Sequence, residues 1–389
     1  MKSDHAVFIG LSGFPYGMAA VQRQKLLAKA LIDAGWRVTI VCPRSIHQQG
    51  TNVIRVGHRE GIRYIYVFKP ERIDAFFLRN LQKFFSPLFE FFILIKLKKK
   101  YQLTAAIVSN KNSYTQALRY SIISKILNFR LLINLVEIYE GRSGTPFIER
   151  INNFFFNRSG LIFFDAFLPI SQTIIEYFKP SGKKYHYLPV VVDVDLFKNI
   201  QPGNENKKYF LFCGSASYFH SIEFILQSFL KIKDKNCNLT LVTNGTQEQL
   251  EKIHKSVNDK NLADRVAFKK NLTEHQLYTL YKSSIGLLLP LFDTIQDKAR
   301  FPHKLAEYLA SGTIVLSNPV GEIINYLNDK ETVLYSASGN IQAFADNMQW
   351  VIEHESQSVE IGNAGSMVSH KFFHYKSMST DFSKFILSI

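Results

Sequence analysis

Little in this chain of 389 residues points to redox or metal chemistry. Its three cysteines, Cys42, Cys213 and Cys237, are scattered, with no Cys-x-x-Cys and no metal-ligand spacing. That pattern fits reduced, buried thiols in a cytoplasmic protein rather than a disulfide framework or a zinc site. The 11 histidines are dispersed as well, and no His-x-x-x-His pairs with acids. No Gly-x-Gly-x-x-Gly and no Gly-Lys-Ser/Thr occurs, which argues against a dinucleotide site or an NTPase P-loop. No Gly-x-Ser-x-Gly elbow marks a serine hydrolase. Long apolar runs are missing too. The most apolar stretch, residues 84–95, is interrupted by Pro87 and Glu90 and falls well short of the ~20 residues of a spanning helix. The first residues, Met1-Lys-Ser-Asp-His-Ala-Val-Phe-Ile, are too short and polar for a signal peptide and read as the lead into a strand. There is no short-period repeat and no low-complexity segment.

With 46% hydrophobic and 20% charged residues, the chain is globular, and its length suggests two domains. The net charge of +15 is unevenly placed: residues 1–193 hold 27 Lys and Arg against 12 Asp and Glu, and residues 194–389 hold 20 against 20. An anionic partner for the first half is a membrane leaflet, a nucleic acid or a phosphorylated substrate. No nucleic-acid module is recognisable, so nucleic acid is not expected as a partner.

The first half alternates strands and helices. An apolar strand at 6–11 ends in the glycine-rich turn Gly10-Leu-Ser-Gly13-Phe-Pro-Tyr16-Gly17. A helix over 18–34 follows, ended by Gly35, and then a strand at 37–42. This βαβ unit opens a doubly wound parallel sheet. Further strands are expected at 62–68, 105–108, 130–136, 166–170 and 185–192, with a helix over 171–178 capped by Ser171. The pattern then restarts: strands at 209–213, 238–242, 266–269, 285–289 and 333–335, with helices at 222–232, 247–255 and 274–282 and another from 341. The join falls between 189 and 203. Residues 372–389 read as one aromatic-rich helix.

The stretch Phe301-Pro-His-Lys-Leu-Ala-Glu-Tyr-Leu-Ala-Ser-Gly312, followed by the short strand Ile314-Val315-Leu316, carries the sharpest signal. Pro302 suits a first helical turn, where its missing N–H costs nothing. Leu305, Tyr308 and Leu309 share a face, and Gly312 ends the helix. A helix start beside Lys298, Arg300 and Lys304 is an anion site, with N–H groups, the dipole and cations converging. Glu307 is one turn in. The alternative is an amphipathic helix with a solvated glutamate. The turns Gly10–Gly17 and Gly214-Ser-Ala-Ser, which each follow a strand, are either phosphate-facing or plain tight turns. Asp193-Val-Asp195 has the form of a cation-holding Asp-x-Asp but lies at the join. Glu137 and Glu140 follow the 130–136 strand, at the sheet edge where ligands sit, and either would orient or deprotonate an acceptor hydroxyl or stand as a loop acid. Residues 72–101 mix large apolar side chains, Phe76, Phe77 and Phe84 among them, with Lys96 and Lys98-Lys-Lys100. They form either an interfacial membrane helix or a core helix with a basic outer face.

Four stretches together resemble the retaining nucleotide-sugar glycosyltransferases of family 4, which have the GT-B fold. They are Pro15-Tyr-Gly-Met-Ala-Ala-Val-Gln-Arg23 through Gly35-Trp-Arg-Val, Pro169-Ile-Ser through Asp193-Val-Asp-Leu-Phe197, Phe212-Cys-Gly-Ser215, and Lys304-Leu-Ala-Glu307 through Gly321-Glu322. The resemblance implies two Rossmann-like α/β domains facing a cleft: residues 1–193 for acceptor and membrane, residues 194–370 for the donor, and residues 371–389 crossing back. It implies that Glu307 holds the ribose hydroxyls of a nucleoside diphosphate sugar. Gly214, Ser215, Asn244 and the residues Phe301, Pro302, His303, Lys304 and Leu305 would meet the donor, and Gly13, Tyr16, Gly17 and Glu137 would lie on the acceptor side. Catalytic residues would be Glu307, Lys304, Arg300 and Glu140. The diphosphate would be stabilised by N–H groups and basic side chains with no metal or other cofactor, and the Asp193/Asp195 pair becomes structural.

Two positions depart from that family pattern. Ala299 stands where a glutamate usually contacts the donor sugar, and Ser215 follows Gly214 where an arginine is usual, the next basic candidate being His220. Either Lys298, Arg300, His303 and Lys304 take over the phosphates, or the chain is a non-catalytic membrane-associated scaffold. The takeover reading gives a cytoplasmic transferase, peripheral on the inner membrane face, that passes a sugar with retention to a lipid-linked or glycan acceptor in cell-surface polysaccharide or glycoconjugate assembly.

Overall fold

A computed structural model describes residues 4–48, 50–109, 113–138, 146–203 and 207–389. The chain divides into two compact units, Met1–Val191 with Tyr375–Ile389, and Val192–His374.

The first unit runs β1 (His5–Ile9), α1 (Ala19–Asp33), β2 (Arg37–Cys42), β3 (Val56–Arg59), β4 (Ile62–Tyr66), α2 (Phe76–Lys100), β5 (Leu103–Val108), α3 (Tyr114–Leu127), β6 (Arg130–Leu135), α4 (Phe147–Ser159), β7 (Ala166–Pro169), α5 (Gln172–Phe178) and β8 (Lys184–Tyr185). Its eight strands lie in the order β3-β4-β2-β1-β5-β6-β7-β8. β3 pairs antiparallel with β4, and the other pairings are parallel. The strands β1, β2 and β5 to β7 are apolar runs buried along nearly their whole length, as a parallel sheet covered on both faces requires. Ser113 and Ser171 cap α3 and α5 by accepting from Gln116 and Ile174 N–H. Such caps are worth about 1 kcal/mol each.

Two sequence expectations need correction here. The strand expected at 185–192 is reduced to Lys184–Tyr185. His186 and Leu188 still donate to Phe167 and Pro169 carbonyls, but Arg23 takes the carbonyls on the far side. Its guanidinium donates to Leu188 O (2.7 Å), Pro189 O (2.5 Å) and Asn134 Oδ1 (3.2 Å). Arg23 is buried, and burial pushes its pKa down to about 9. The helix expected over 372–389 is broken: a π-turn covers Ser369–Phe373, a 3-10 turn Tyr375–Met378, and only Ser379–Leu387 is α-helical. Phe373 is held in the second unit by Phe301 and Tyr326, and its carbonyl accepts from Val192 N–H. The final helix instead packs in the first unit: Trp36 Nε1 donates to Ser383 Oγ (2.8 Å), His186 stacks on Phe385, and Arg130 Nε donates to Ile389 O (2.7 Å).

The second unit runs α6 (Asp195–Lys198), β9 (Tyr209–Ser215), α7 (Phe219–Lys231), β10 (Asn238–Asn244), α8 (Gln247–Asp259), β11 (Val266–Lys269), α9 (Glu274–Ser283), β12 (Gly286–Leu289), α10 (Ile295–Ala299), α11 (His303–Ala310), β13 (Val315–Ser317), β14 (Leu334–Tyr335), α12 (Ile341–Glu353) and α13 (Glu355–Val368); the first unit's last helix is α14 (Ser379–Leu387). Its six strands are all parallel, in the order β11-β10-β9-β12-β13-β14. Capping boxes start α8 (Thr246 with Gln249) and α9 (Thr273 with Gln276). The hairpin strand β3 and the helices α3, α4 and α13 were not among the elements expected from sequence.

α2 is fastened to α3 by one buried charge. Glu90 is fully buried and accepts from Arg119 Nη2 and Tyr120 OH, both at 2.9 Å. Burial raises its pKa, and Arg119 only partly offsets that. A raised carboxyl adds stability below its unfolded pKa and loses it as pH rises through the folded value. Removing the partner of a buried ion costs about 3–5 kcal/mol, so Arg119→Met is expected to destabilise the fold by that order. Thermal unfolding should show a loss that shrinks on acidification, as Glu90 takes up a proton. A pH-independent loss under about 1 kcal/mol, the range of an exposed pair, would contradict this account.

Candidate active site

Counted from β9, the second sheet has the strand order 3-2-1-4-5-6 and reverses direction between β9 and β12. In open α/β sheets ligands settle beyond the carboxyl ends of the strands at such a switch point. β9 ends there in Gly214 and Ser215. A Cβ on Gly214 would lie 2.6 Å from the Phe212 ring, so glycine is required. The turn after it is closed by its own polar groups: Ala216 N–H donates to Asn244 O (3.0 Å), and Ser217 donates to Ser215 Oγ through N–H (3.2 Å) and hydroxyl (2.9 Å). Gly214, Ser215 and Asn244 therefore share one edge.

α11 is fastened to the same edge, because Cys213 N–H donates to Tyr308 OH (2.8 Å). Glu307, 4% exposed, is the residue just before that tyrosine. Its Oε2 accepts from Lys304 Nζ (2.9 Å) and Tyr281 OH (3.3 Å), and its Oε1 lies 3.7 Å from His303 Nε2. Burial pushes the Glu307 carboxyl up, but Lys304 and His303 outweigh it and hold the group below the usual carboxylate range. Burial likewise lowers Lys304, yet Glu307 and Cys213 raise it further, leaving it firmly protonated. The helix start itself has no side-chain cap at Pro302, and an uncapped start of this kind suits an anion.

The cations around this helix are not loose. Lys298 pairs with Asp293, and Arg300 Nη2 with Asp297 Oδ1 (2.6 Å). Asp297 is buried and also accepts from Phe292 N–H (2.8 Å), which fixes the loop before α10. The Arg300 guanidinium lies 4.8 Å from the centre of the Tyr218 ring, a cation–π contact that sets it over the end of the Gly214–Tyr218 turn. Its Nε is buried without a hydrogen-bond partner among the described residues. Gly321 (φ +69) lets the chain pass this loop: a Cβ there would meet Asp297 O at 2.8 Å.

Other candidates separate clearly. Phe301 is buried, stacked on Tyr326 and edge-on to Phe373. Leu305 is buried with its N–H already given to Pro302 O (3.0 Å). Both side chains serve packing rather than donor contact. His220 packs on Phe292, and Ala299 is fully buried. Asp195 is answered by Lys198 (2.7 Å) and lies 3.6 Å from His374, a structural arrangement. In the first unit, Gly13 (φ +121), Tyr16 and Gly17 follow β1 beside the reversal between β1 and β5, and Tyr66 OH anchors that loop through Phe14 O (2.7 Å). Glu137 follows β6, and Glu140 lies outside the described residues. Sequence reasoning missed Tyr281, and it gave no role to Tyr218 or Cys213 around the end of β9. Tyr278 and Tyr281 have the i, i+3 spacing of a core face, so nothing in the pattern set Tyr281 apart.

Residues 193–367 match the family described as glycosyl transferases group 1, which spans nearly the whole second unit. The second unit therefore carries a glycosyl transferases group 1 domain. Solved structures agree on the fold across the full length. A sucrose-phosphate synthase from Thermosynechococcus elongatus superposes with a TM-score of 0.79 at 16% identity, covering 100% of this chain and 99% of that one. HepE from Anabaena in complex with UDP-glucose gives 0.71 at 14% identity, covering 99% and 100%. The lipopolysaccharide outer core galactosyltransferase WaaB gives 0.62 at 14%, covering 98% and 99%. At these identities the likeness is one of fold, the GT-B architecture of two parallel-sheet domains. No curated protein matches the sequence.

The Lys304–Glu307 pair in this domain is asymmetric. The Lys304 side chain is 26% exposed and the Glu307 side chain 5%, so an orphaned lysine reaches water and an orphaned glutamate does not. Lys304→Met is therefore expected to cost about 3 kcal/mol in thermal unfolding and Glu307→Gln clearly less. Because Glu307 is lowered, its contribution is present above the unfolded carboxyl pKa and lost as pH falls through the folded value. Glu307→Gln should flatten the acid limb of the stability curve. Equal losses in both variants, with unchanged acid limbs, would contradict the pairing.

Proposed function

We propose that this transferase moves a sugar from a nucleoside diphosphate sugar to a lipid-linked or glycan acceptor, with retention, in cell-surface polysaccharide or glycoconjugate assembly. The observation that carries the proposal is the buried, ionised Glu307 on the helix that Tyr308 fastens to the end of β9 at the switch point. A fixed carboxylate accepts from two ribose hydroxyls at once. The N–H groups opening α11, with Arg300 set over the turn, meet the diphosphate, and Lys304 orients Glu307 and adds positive charge. As the bond between the sugar's C1 and the diphosphate breaks and a bond from C1 to the acceptor oxygen forms, negative charge builds on the diphosphate. Preorganised donors stabilise it most there, and this reading requires no metal or other cofactor. The Anabaena protein's complex with UDP-glucose supports a nucleotide sugar as the donor class.

The first unit is proposed to carry the acceptor residues Gly13, Tyr16, Gly17, Glu137 and Glu140, and to dock on an anionic membrane surface from the cytoplasmic side. Phe76, Phe77 and Phe84 on α2 and Phe147 and Ile148 on α4 are 70–79% exposed, and the chain's excess positive charge lies in the same half. Exposed aromatics with basic neighbours suit an interface. Among the described residues, no helix is long and apolar enough to cross a membrane. A second reading, a non-catalytic scaffold subunit, is favoured by the acid partners of Lys298, Arg300 and Lys304.

Incubating a panel of UDP-, GDP- and ADP-sugars with a membrane extract, with mass detection of product, tests the transfer. A sugar-sized mass gain on a lipid or glycan is expected with wild type and absent with Glu307→Ala that circular dichroism shows to be folded. Product formation by Glu307→Ala would overturn the site, and no product from any donor would favour the scaffold.

A further inference from the structure

The last turns of α2 and the β3–β4 hairpin line a half-open cavity of about 350 Å³ in the first unit. Four cations surround it: Arg55, Arg63, Lys96 and Lys100. No carboxylate lines it, whereas the cations near α11 each have one. Three of the four are held in place by neutral groups. Arg55 donates to Tyr66 O (3.2 Å) and Val67 O (3.0 Å), Arg63 donates to Tyr101 OH (3.1 Å), and the Lys100 ammonium lies 5.5 Å from the centre of the Tyr101 ring. Beneath the charges the floor is apolar, made by Ile65, Ile93 and Leu97. Fixed, uncompensated positive charge keeps its full attraction for an anion, and an apolar floor has no use for a fully hydrated one.

The pairing of a cationic rim with a hydrocarbon floor selects an anionic amphiphile. We infer that this cavity seats the phosphate headgroup of an anionic membrane lipid, with the first methylenes of its chain on Ile65, Ile93 and Leu97. The inference rests on the membrane-docking reading above and deepens it. The helix that lines the cavity is the one whose other end exposes Phe76, Phe77 and Phe84. One element would then lay aromatics into the interface at one end and hold a headgroup at the other. Lys98 takes no part, because its ammonium caps the Leu103 and Asn128 carbonyls (3.2 and 2.7 Å). The Tyr101 ring is already faced by Arg37, Arg63 and Lys100, which leaves no platform for stacking a nucleic-acid base.

The test uses the full chain and dihexanoyl phosphatidylglycerol below its micelle concentration, with the phosphatidylcholine analogue and inorganic phosphate as comparisons. Saturable one-to-one binding of the phosphatidylglycerol is expected by titration calorimetry. Lys96→Gln with Lys100→Gln, both exposed positions, should weaken it about tenfold, as loss of two surface cations implies, with unfolding temperature unchanged. Equal binding by wild type and variant, displacement by equimolar inorganic phosphate, or displacement by a single-stranded oligonucleotide would each overturn the lipid site. Sedimentation of the wild type with phosphatidylglycerol vesicles reports the docking reading separately. Co-sedimentation without soluble-lipid binding would overturn the cavity assignment and leave docking standing.

Discussion

A carboxylate out of reach of water is tolerable only where its charge is answered, and the ligand edge of the second unit is arranged around that constraint. Glu307 is answered by Lys304 and Tyr281, and Tyr308 ties the same helix to the end of β9 through Cys213. Replacing water around Glu307 by fixed partners keeps it ionised and immobile before any ligand arrives. That preorganisation spares the cost of ordering the group at the moment of binding.

The first unit obeys a different constraint. Its sheet is covered and apolar, but α2 and α4 leave aromatic faces without a partner. Such a face costs solubility unless something covers it. The same helix α2 carries both the exposed phenylalanines and, at its basic end, one wall of a cation-rimmed cavity. The internal fastening of α2 by Glu90 to Arg119 and Tyr120 holds that face rigid, which an interfacial element that positions a domain requires.

Much of the fold could be read in advance because parallel strands are short apolar runs bounded by glycine and polar turns. Arg37–Cys42 and Val266–Lys269 fall where their patterns place them. The failures have local physical causes. The 185–192 stretch is as apolar as any strand, but Arg23, 165 residues away in sequence, consumes its carbonyls. The 372–389 stretch has helical composition, yet Phe373 is buried in one unit and Phe382 in the other, and the backbone must break between them. At the site, the glycine turn and the helix start were legible as local chemistry. The pairing of every cation with an acid was not, since Lys298 with Asp293 and Arg300 with Asp297 depend on how one loop folds back. Tyr218 and Tyr281 carried no motif at all.

The takeover of phosphate binding by the groups at α11 is the claim on which the function depends, because the turn after β9 offers Ser215 and no basic side chain of its own. Titration calorimetry of UDP-, GDP- and ADP-sugars against wild type and Arg300→Gln measures it directly. Saturable binding of one donor by wild type is expected. Arg300→Gln should weaken it about tenfold or more, the scale of one charge-assisted contact to a diphosphate. No saturable binding of any donor, or equal affinity in both proteins, would contradict it.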